Sequence, residues 1–159
     1  MRFFAAADSD EHDEFGRITE SAEVRRQMMD KRMRKLDKLK LELQEPVLFG
    51  SPDCETLLIG WGSMQGPLEE TVAILDKENP GKVSALVFGD IFPLPTRKLQ
   101  EIASNAKHLI NVEQNATGQL ALLIRESTGI MCNTGILKYD GRQLSAEEIV
   151  RKLKEEVTR

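Results

Sequence analysis

Four short apolar runs, at residues 57–59, 83–88, 109–112 and 136–137, alternate with segments of helical period at 68–77, 96–106, 118–127 and 147–157. The runs are nearly continuous in hydrophobicity rather than alternating, the pattern of strands covered on both faces. Strands separated by helices of about ten residues or more build βαβ crossovers and a parallel sheet. The expectation is an α/β fold in three layers, a mainly parallel sheet with helices on both faces. Ser145, with Glu148 three residues on, reads as a capping box that opens the last helix.

Upstream the pattern changes. Residues 1–19 contain the polar and acidic run 8–14, too poor in apolar groups to offset the cost of ordering, so this segment is expected to be flexible. Residues 20–44 lack Gly and Pro and concentrate Lys and Arg between Arg25 and Lys40. Thr19 or Ser21 can cap this basic amphipathic helix, and Pro46 is expected to end the helical run. Met29, Met33, Leu36 and Leu43 form one narrow apolar stripe, expected to dock onto a folded body. The α/β domain then occupies residues 45–159.

Composition excludes several roles. A net charge of −4 argues against nucleic acid as the main partner. No apolar run approaches the roughly 20 residues that cross a bilayer, and the basic helix lacks the aromatic anchors of a membrane-surface helix. The apolar stretch after Arg2 is too short for a secretory signal, which makes the cytoplasm the expected location. Cys54 and Cys132 form no C-x-x-C and read as buried small hydrophobes. An iron–sulfur cluster takes four Cys ligands, so this chain cannot hold one alone.

Two stretches carry candidate site residues. In Val112-Glu113-Gln114-Asn115-Ala116-Thr117-Gly118-Gln119-Leu120 a strand ends, turns and enters a helix. That is where open α/β sheets build sites. Asn115 or Thr117 can cap the helix, its positive end faces Glu113, and Asn115 and Gln119 can complete a hydrogen-bonded set with that carboxylate. The other reading is that Gln114 and Asn115 merely satisfy turn backbone. The second stretch is Gly60-Trp61-Gly62-Ser63-Met64-Gln65-Gly66-Pro67. Gly60, Gly62, Ser63 and Gly66 form a candidate anion-binding loop at a helix start. The third Gly comes one residue late for a dinucleotide fingerprint, and a tight strand-to-helix turn explains the glycines equally well.

Nothing assembles a nucleophile, a base and an orienting group. Ser63 does not stand in G-x-S-x-G, and His108, at a strand start, reads as structural. His12 among Asp10, Glu11, Asp13 and Glu14 has metal-ligand chemistry, but a flexible stretch is a poor cage, and no metal site is assigned. From the residues, the chain is a binding or scaffolding domain.

Several blocks in order resemble one family. Asp10-Glu11-His12-Asp13-Glu14-Phe15-Gly16-Arg17-Ile18-Thr19-Glu20 resembles an E-H-D-E-x-G-x-I-T-E segment, and Lys31-Arg32-Met33-Arg34-Lys35-Leu36 a K-R-x-x-K-L helix. Leu58-Ile59-Gly60-Trp61-Gly62-Ser63 resembles a strand with its G-W-G-S loop, and residues 113–120 an E-x-N-x-x-G-Q-L signature. All belong to the α subunit of 2-oxoacid:ferredoxin oxidoreductases, 2-oxoglutarate type, in its C-terminal, transketolase C-terminal-like domain. The resemblance implies an enzyme complex that decarboxylates a 2-oxoacid on thiamine diphosphate and magnesium, forms an acyl-CoA from coenzyme A and passes electrons to ferredoxin through iron–sulfur clusters.

In such enzymes the carboxylate that activates thiamine belongs to a pyrimidine-binding domain, which is expected to lie outside this chain. The chain alone is then expected to bind none of these cofactors and to contribute no catalytic residue. Glu113, Asn115, Gly118 and Gln119 are expected to support an interface or a site. Implied partners are the pyrimidine-binding domain, the β subunit and a ferredoxin-type subunit, with a homodimer left open. The competing reading is a free-standing nucleotide or coenzyme A binding domain that uses the 60–66 loop.

Overall fold

The computed structural model describes residues 10–157, in two compact units split after Glu42. The expectations for residues 1–9 lie outside the described residues. In the first unit, the acidic composition gives way to a hydrogen-bonded hairpin. Asp13 Oδ1 accepts from the Phe15 and Arg17 N–H groups, both at 2.9 Å, and His12 bridges Ile18. Glu11 is the buried member of this hairpin. Its carboxylate accepts from Arg32 at 2.6 and 2.9 Å and from Arg25 at 3.0 Å. A bidentate guanidinium of this kind is the strong form of an ion pair.

Helix α1 spans Ala22–Leu39, with Ser21 Oγ accepting from the Val24 N–H at its start. It stops short of the sequence expectation. Residues 40–42 form a turn in which the Leu41 and Glu42 amides donate to the Lys38 and Leu39 carbonyls. The last turn tightens into three-residue bonds and releases the chain well before Pro46. No residue of α1 is buried.

The hydrogen bond from Arg32, aided by the His12 amide and by Arg25, holds the Glu11 carboxyl at about 2, below its ordinary 4.5. A depressed folded-state value means that the clasp contributes fully above the ordinary value and is lost as pH falls from there towards 2. Amide exchange should report this, because the Thr19 N–H donates to the Glu11 carbonyl and the His12 N–H to its side chain. Protection at both amides is expected to fade across that window, whereas Glu11→Gln, which carries no titrating carboxyl, should show the weaker protection throughout it. Unchanged protection at the bottom of the window contradicts this assignment.

The second unit is an α/β sandwich. Its strands are β1 (Val47–Phe49), β2 (Thr56–Trp61), β3 (Val83–Phe88), β4 (His108–Glu113) and β5 (Thr134–Leu137). Its helices are α2 (Gln65–Glu78), α3 (Arg97–Ala103), α4 (Gln119–Thr128) and α5 (Ala146–Val157). The sheet order is β1-β3-β2-β4-β5, with β1 antiparallel and the other pairs parallel. The three-layer, mainly parallel expectation holds. The added element is β1, an edge strand of three residues too short to show a period.

Alternation along each strand divides the core into two layers. Leu58, Ala85, Val87, Ile110 and Val112 pack with Leu68, Val72 and Leu75 of α2 and Ile149 and Leu153 of α5. Leu57, Ile59, Leu86, Phe88 and Leu109 pack on the other face with Leu99 and Ile102 of α3 and Leu120 and Ile124 of α4. Cys54 joins this second layer as a buried hydrophobe, and Cys132 is partly buried against it. At the start of α5, Ser145 Oγ accepts from the Glu148 N–H, but Glu148 turns its carboxylate to Lys138 rather than closing a reciprocal box.

Successive crossovers run from β2 to β3 on one side and from β3 to β4 on the other, so the order reverses between β2 and β4. The crevice at the carboxyl ends of such a strand pair is where open α/β sheets bind. Among the described residues no helix is long and apolar enough to cross a membrane.

Candidate functional site: a buried carboxylate at the switch point

Strands β2 and β4 end in Trp61 and Glu113, and these two side chains meet. Trp61 Nε1 donates to Glu113 Oε2 at 3.1 Å. Asn115 Nδ2 donates to the same oxygen at 2.6 Å, and the Leu120 and Ala121 N–H groups donate to Oε1 at 2.9 and 3.3 Å. Glu113 is fully buried. Its charge rests against the positive end of α4, whose first amides have no partner within the helix.

The sequence expectation was that Asn115 or Thr117 caps α4. The N-cap is instead Gly118, with φ +65° and no side chain, and the capping oxygens come from Glu113. Asn115 serves one step earlier, its Oδ1 accepting from the Thr117 and Gly118 N–H groups at 3.1 and 2.7 Å to close the turn. The same device recurs at α3. Its N-cap Thr96 makes no side-chain bond, and Glu45, distant in sequence, accepts from the Lys98 N–H at 3.0 Å.

Gln119 differs from expectation. It is exposed and is not among the donors to Glu113; Trp61 takes the place expected of it. The sequence signal for Trp61 was present, a lone tryptophan flanked by glycines at a strand end, but nothing local links residues 61 and 113.

The glycine loop divides. Gly60 is buried within β2, and a Cβ there would meet Leu68 Cδ1 at 2.6 Å, Met64 Cβ at 3.1 Å and the Val112 carbonyl oxygen at 3.2 Å. Close packing explains this glycine. Residues 62–64 form a 3-10 turn that runs directly into α2, with Gly66 and Pro67 in its first turn. Gly60→Ala is expected to cost about 1–3 kcal/mol by overpacking, read as a lower denaturation midpoint. An unchanged midpoint contradicts that packing role.

Ser63 and Met64 nevertheless face the second stretch. A cavity of about 290 Å³ is lined by Trp61, Ser63, Met64, Gln114, Asn115 and Gln119. The fold thus brings Ser63 together with Asn115 and Gln119, while Glu113 lies beneath as support. His108 is exposed at the far end of β4. His12 uses Nδ1 on the Asp13 carbonyl, and Glu11 is committed to its arginines.

Burial pushes the Cys132 thiol up to about 11, with the Glu113 charge adding to the effect, and burial raises Cys54 as well. Both are therefore protonated near neutral pH and are poor nucleophiles.

No protein-family model matches the chain. It is 34% identical over 147 residues to 2-oxoacid:ferredoxin oxidoreductase 2, subunit alpha, of Aeropyrum pernix, covering 91% of this chain and 23% of that protein. The chain therefore spans about a quarter of the length of the curated relatives it matches. A 2-oxoglutarate:ferredoxin oxidoreductase from Magnetococcus marinus, solved with 2-oxoglutarate, coenzyme A and succinyl-CoA bound, superposes with a TM-score of 0.79 at 26% identity. That match covers 97% of this chain and 27% of the other. The alpha chain of a probable 2-oxoacid ferredoxin oxidoreductase from Thermoplasma acidophilum is 33% identical, with a TM-score of 0.50, over 72% of this chain and 98% of that one. On these relatives and the shared α/β fold, the chain belongs to the α-subunit family of the 2-oxoacid:ferredoxin oxidoreductases.

Proposed function

We propose that this chain is the C-terminal, non-catalytic assembly and site-support module of a 2-oxoacid:ferredoxin oxidoreductase α subunit, of 2-oxoglutarate type. The observation that carries this reading is the state of Glu113. A carboxylate that is fully buried and accepts from four donors has its oxygens committed, so it fixes the geometry of the β2 and β4 ends rather than reacting. The type rests on the Magnetococcus marinus neighbour, whose bound molecules are 2-oxoglutarate, coenzyme A and succinyl-CoA.

Thiamine diphosphate, magnesium, coenzyme A and iron–sulfur clusters belong, on this reading, to the assembled complex. The residues present do not fit the first, second and last of these. Among the described residues no three His, Cys, Asp or Glu side chains stand together as a cation site, and Glu113 has no oxygen free for a thiamine ring. Two cysteines, both pushed towards the protonated form, fall short of the four thiolates of a cluster. No chemical step is therefore assigned to this chain. Its residues position a loop, an indole and a helix start for the partners: a pyrimidine-binding domain, the β subunit and a ferredoxin-type subunit.

Reconstitution tests the reading. The chain is added to the remaining subunits, and coenzyme A-dependent oxidation of 2-oxoglutarate is followed with ferredoxin as acceptor. Stable association and turnover that requires the chain are expected. Full turnover without it, or failure to associate, overturns the proposal.

A further inference from the structure

The cavity beside Trp61 has a chemical character that follows from where its polar atoms are already used. Gln114 Oε1 accepts from the Leu144 N–H at 2.6 Å, and Asn115 Oδ1 accepts from two backbone amides. Both carbonyl oxygens are thus engaged within the fold, while the amide nitrogens keep N–H groups to offer. Asn115 gives one of its two N–H groups to Glu113 and keeps the other. Gln119 and Ser63, both exposed, each add a donor and an acceptor.

The charge balance is close to neutral. The Glu113 carboxylate lies below the cavity, and the positive end of α4 offsets it. A bound anion would sit above a buried negative charge, and a bound cation would meet N–H groups. A neutral acceptor suits both conditions. At about 290 Å³ the cavity lies at the lower edge of the roughly 300–1,000 Å³ of small-molecule sites, enough for one turn of chain or one ring. One wall is Trp61, 36% exposed, with its nitrogen already satisfied. A rigid, partly exposed indole of this kind is the residue type that anchors protein interfaces.

From this geometry we infer that the Trp61–Gln119 cavity is a docking pocket for an uncharged main-chain turn of another subunit, which presents backbone carbonyls to the amide donors and packs against the indole. The inference rests on the proposed assembly role.

The chain has a single tryptophan, which makes the test specific. It is produced with 5-fluorotryptophan at position 61 and mixed with the remaining, unlabelled subunits. On assembly the fluorine resonance is expected to move and to lose its broadening by a soluble paramagnetic chelate. Gln119→Glu, which replaces a donor with a charged acceptor at an exposed position, is expected to weaken association by about tenfold or more. Gln119→Arg, which keeps a donor, is expected to associate within about threefold of the unaltered chain. That sign difference would not arise if residue 119 acted only on the fold.

Assembly with Trp61 still open to the chelate overturns the docking pocket while leaving the assembly role standing. So does equal behaviour of the two variants. Failure to assemble at all overturns both. A saturable shift of the resonance in the isolated chain on adding adenosine, coenzyme A or 2-oxoglutarate assigns the cavity to a small molecule and also overturns the inference.

Discussion

Glu113→Ala is expected to lower the melting temperature by about 10–15 °C, the largest effect of any single side chain at the site. The substitution strands the Trp61 and Asn115 side-chain donors and the Leu120 and Ala121 amides in a water-poor environment. Each hydrogen bond to a charged partner is worth about 1.5–3 kcal/mol, and the losses overlap because the donors share one carboxylate. A net cost of about 3–5 kcal/mol follows, including the cavity left behind. A domain of this size holds about 5–15 kcal/mol in reserve, so the variant is placed near its limit.

Glu113→Gln keeps the shape but turns an NH₂ towards donors, and should recover only part of the loss. Gln119→Ala, at an exposed position outside the carboxylate cluster, should stay within about 0.5 kcal/mol in the isolated chain. Thermal or denaturant unfolding of the three variants checks the order. Glu113→Ala melting with the unaltered chain would show that the carboxylate does not hold the loop.

Gly118→Ala is the second large effect, at about 2–4 kcal/mol. The residue sits at φ +65°, and an L side chain there costs about 1–2 kcal/mol. A Cβ would also stand 2.9 Å from Asn111 Nδ2. Asn111 is buried in β4, so it has little room to move aside. Displacing it adds an overpacking cost of about 1–3 kcal/mol. The same variant should accelerate amide exchange at Leu120 and Ala121, because Gly118 sets the angle at which α4 meets Glu113. A stability loss confined to Asn111 neighbours, with Leu120 and Ala121 still protected, would separate packing from capping and contradict the second half of this prediction.

The sheet was legible because its central strands are covered on both faces, which makes them continuous apolar runs whose ends the glycines mark. Strand β1 was not, since three half-exposed residues at an edge carry no such pattern. Ser21 and Ser145, next to the helices they cap, were legible, while the cap of α4 was not, for a physical reason. Sequence reasoning looks for a cap within a few residues of a helix start, whereas α3 and α4 are capped by Glu45 and Glu113, which the fold delivers. Trp61 was missed for the same reason, being 52 residues from its acceptor. The hairpin at residues 11–18 was hidden by composition, because an acidic run reads as solvated until two arginines on α1 are set beside Glu11. What proximity in sequence could show was Glu113 facing the start of α4, with Asn115 in the turn between them.

On the proposed reading, this chain supports a thiamine-dependent site without supplying one. Isothermal titration of the isolated chain with thiamine diphosphate and magnesium tests it most directly. No saturable heat at micromolar concentrations is predicted, with the fold verified in the same sample. A one-site isotherm in that range would mean that these residues hold the cofactor themselves and would overturn the supporting role.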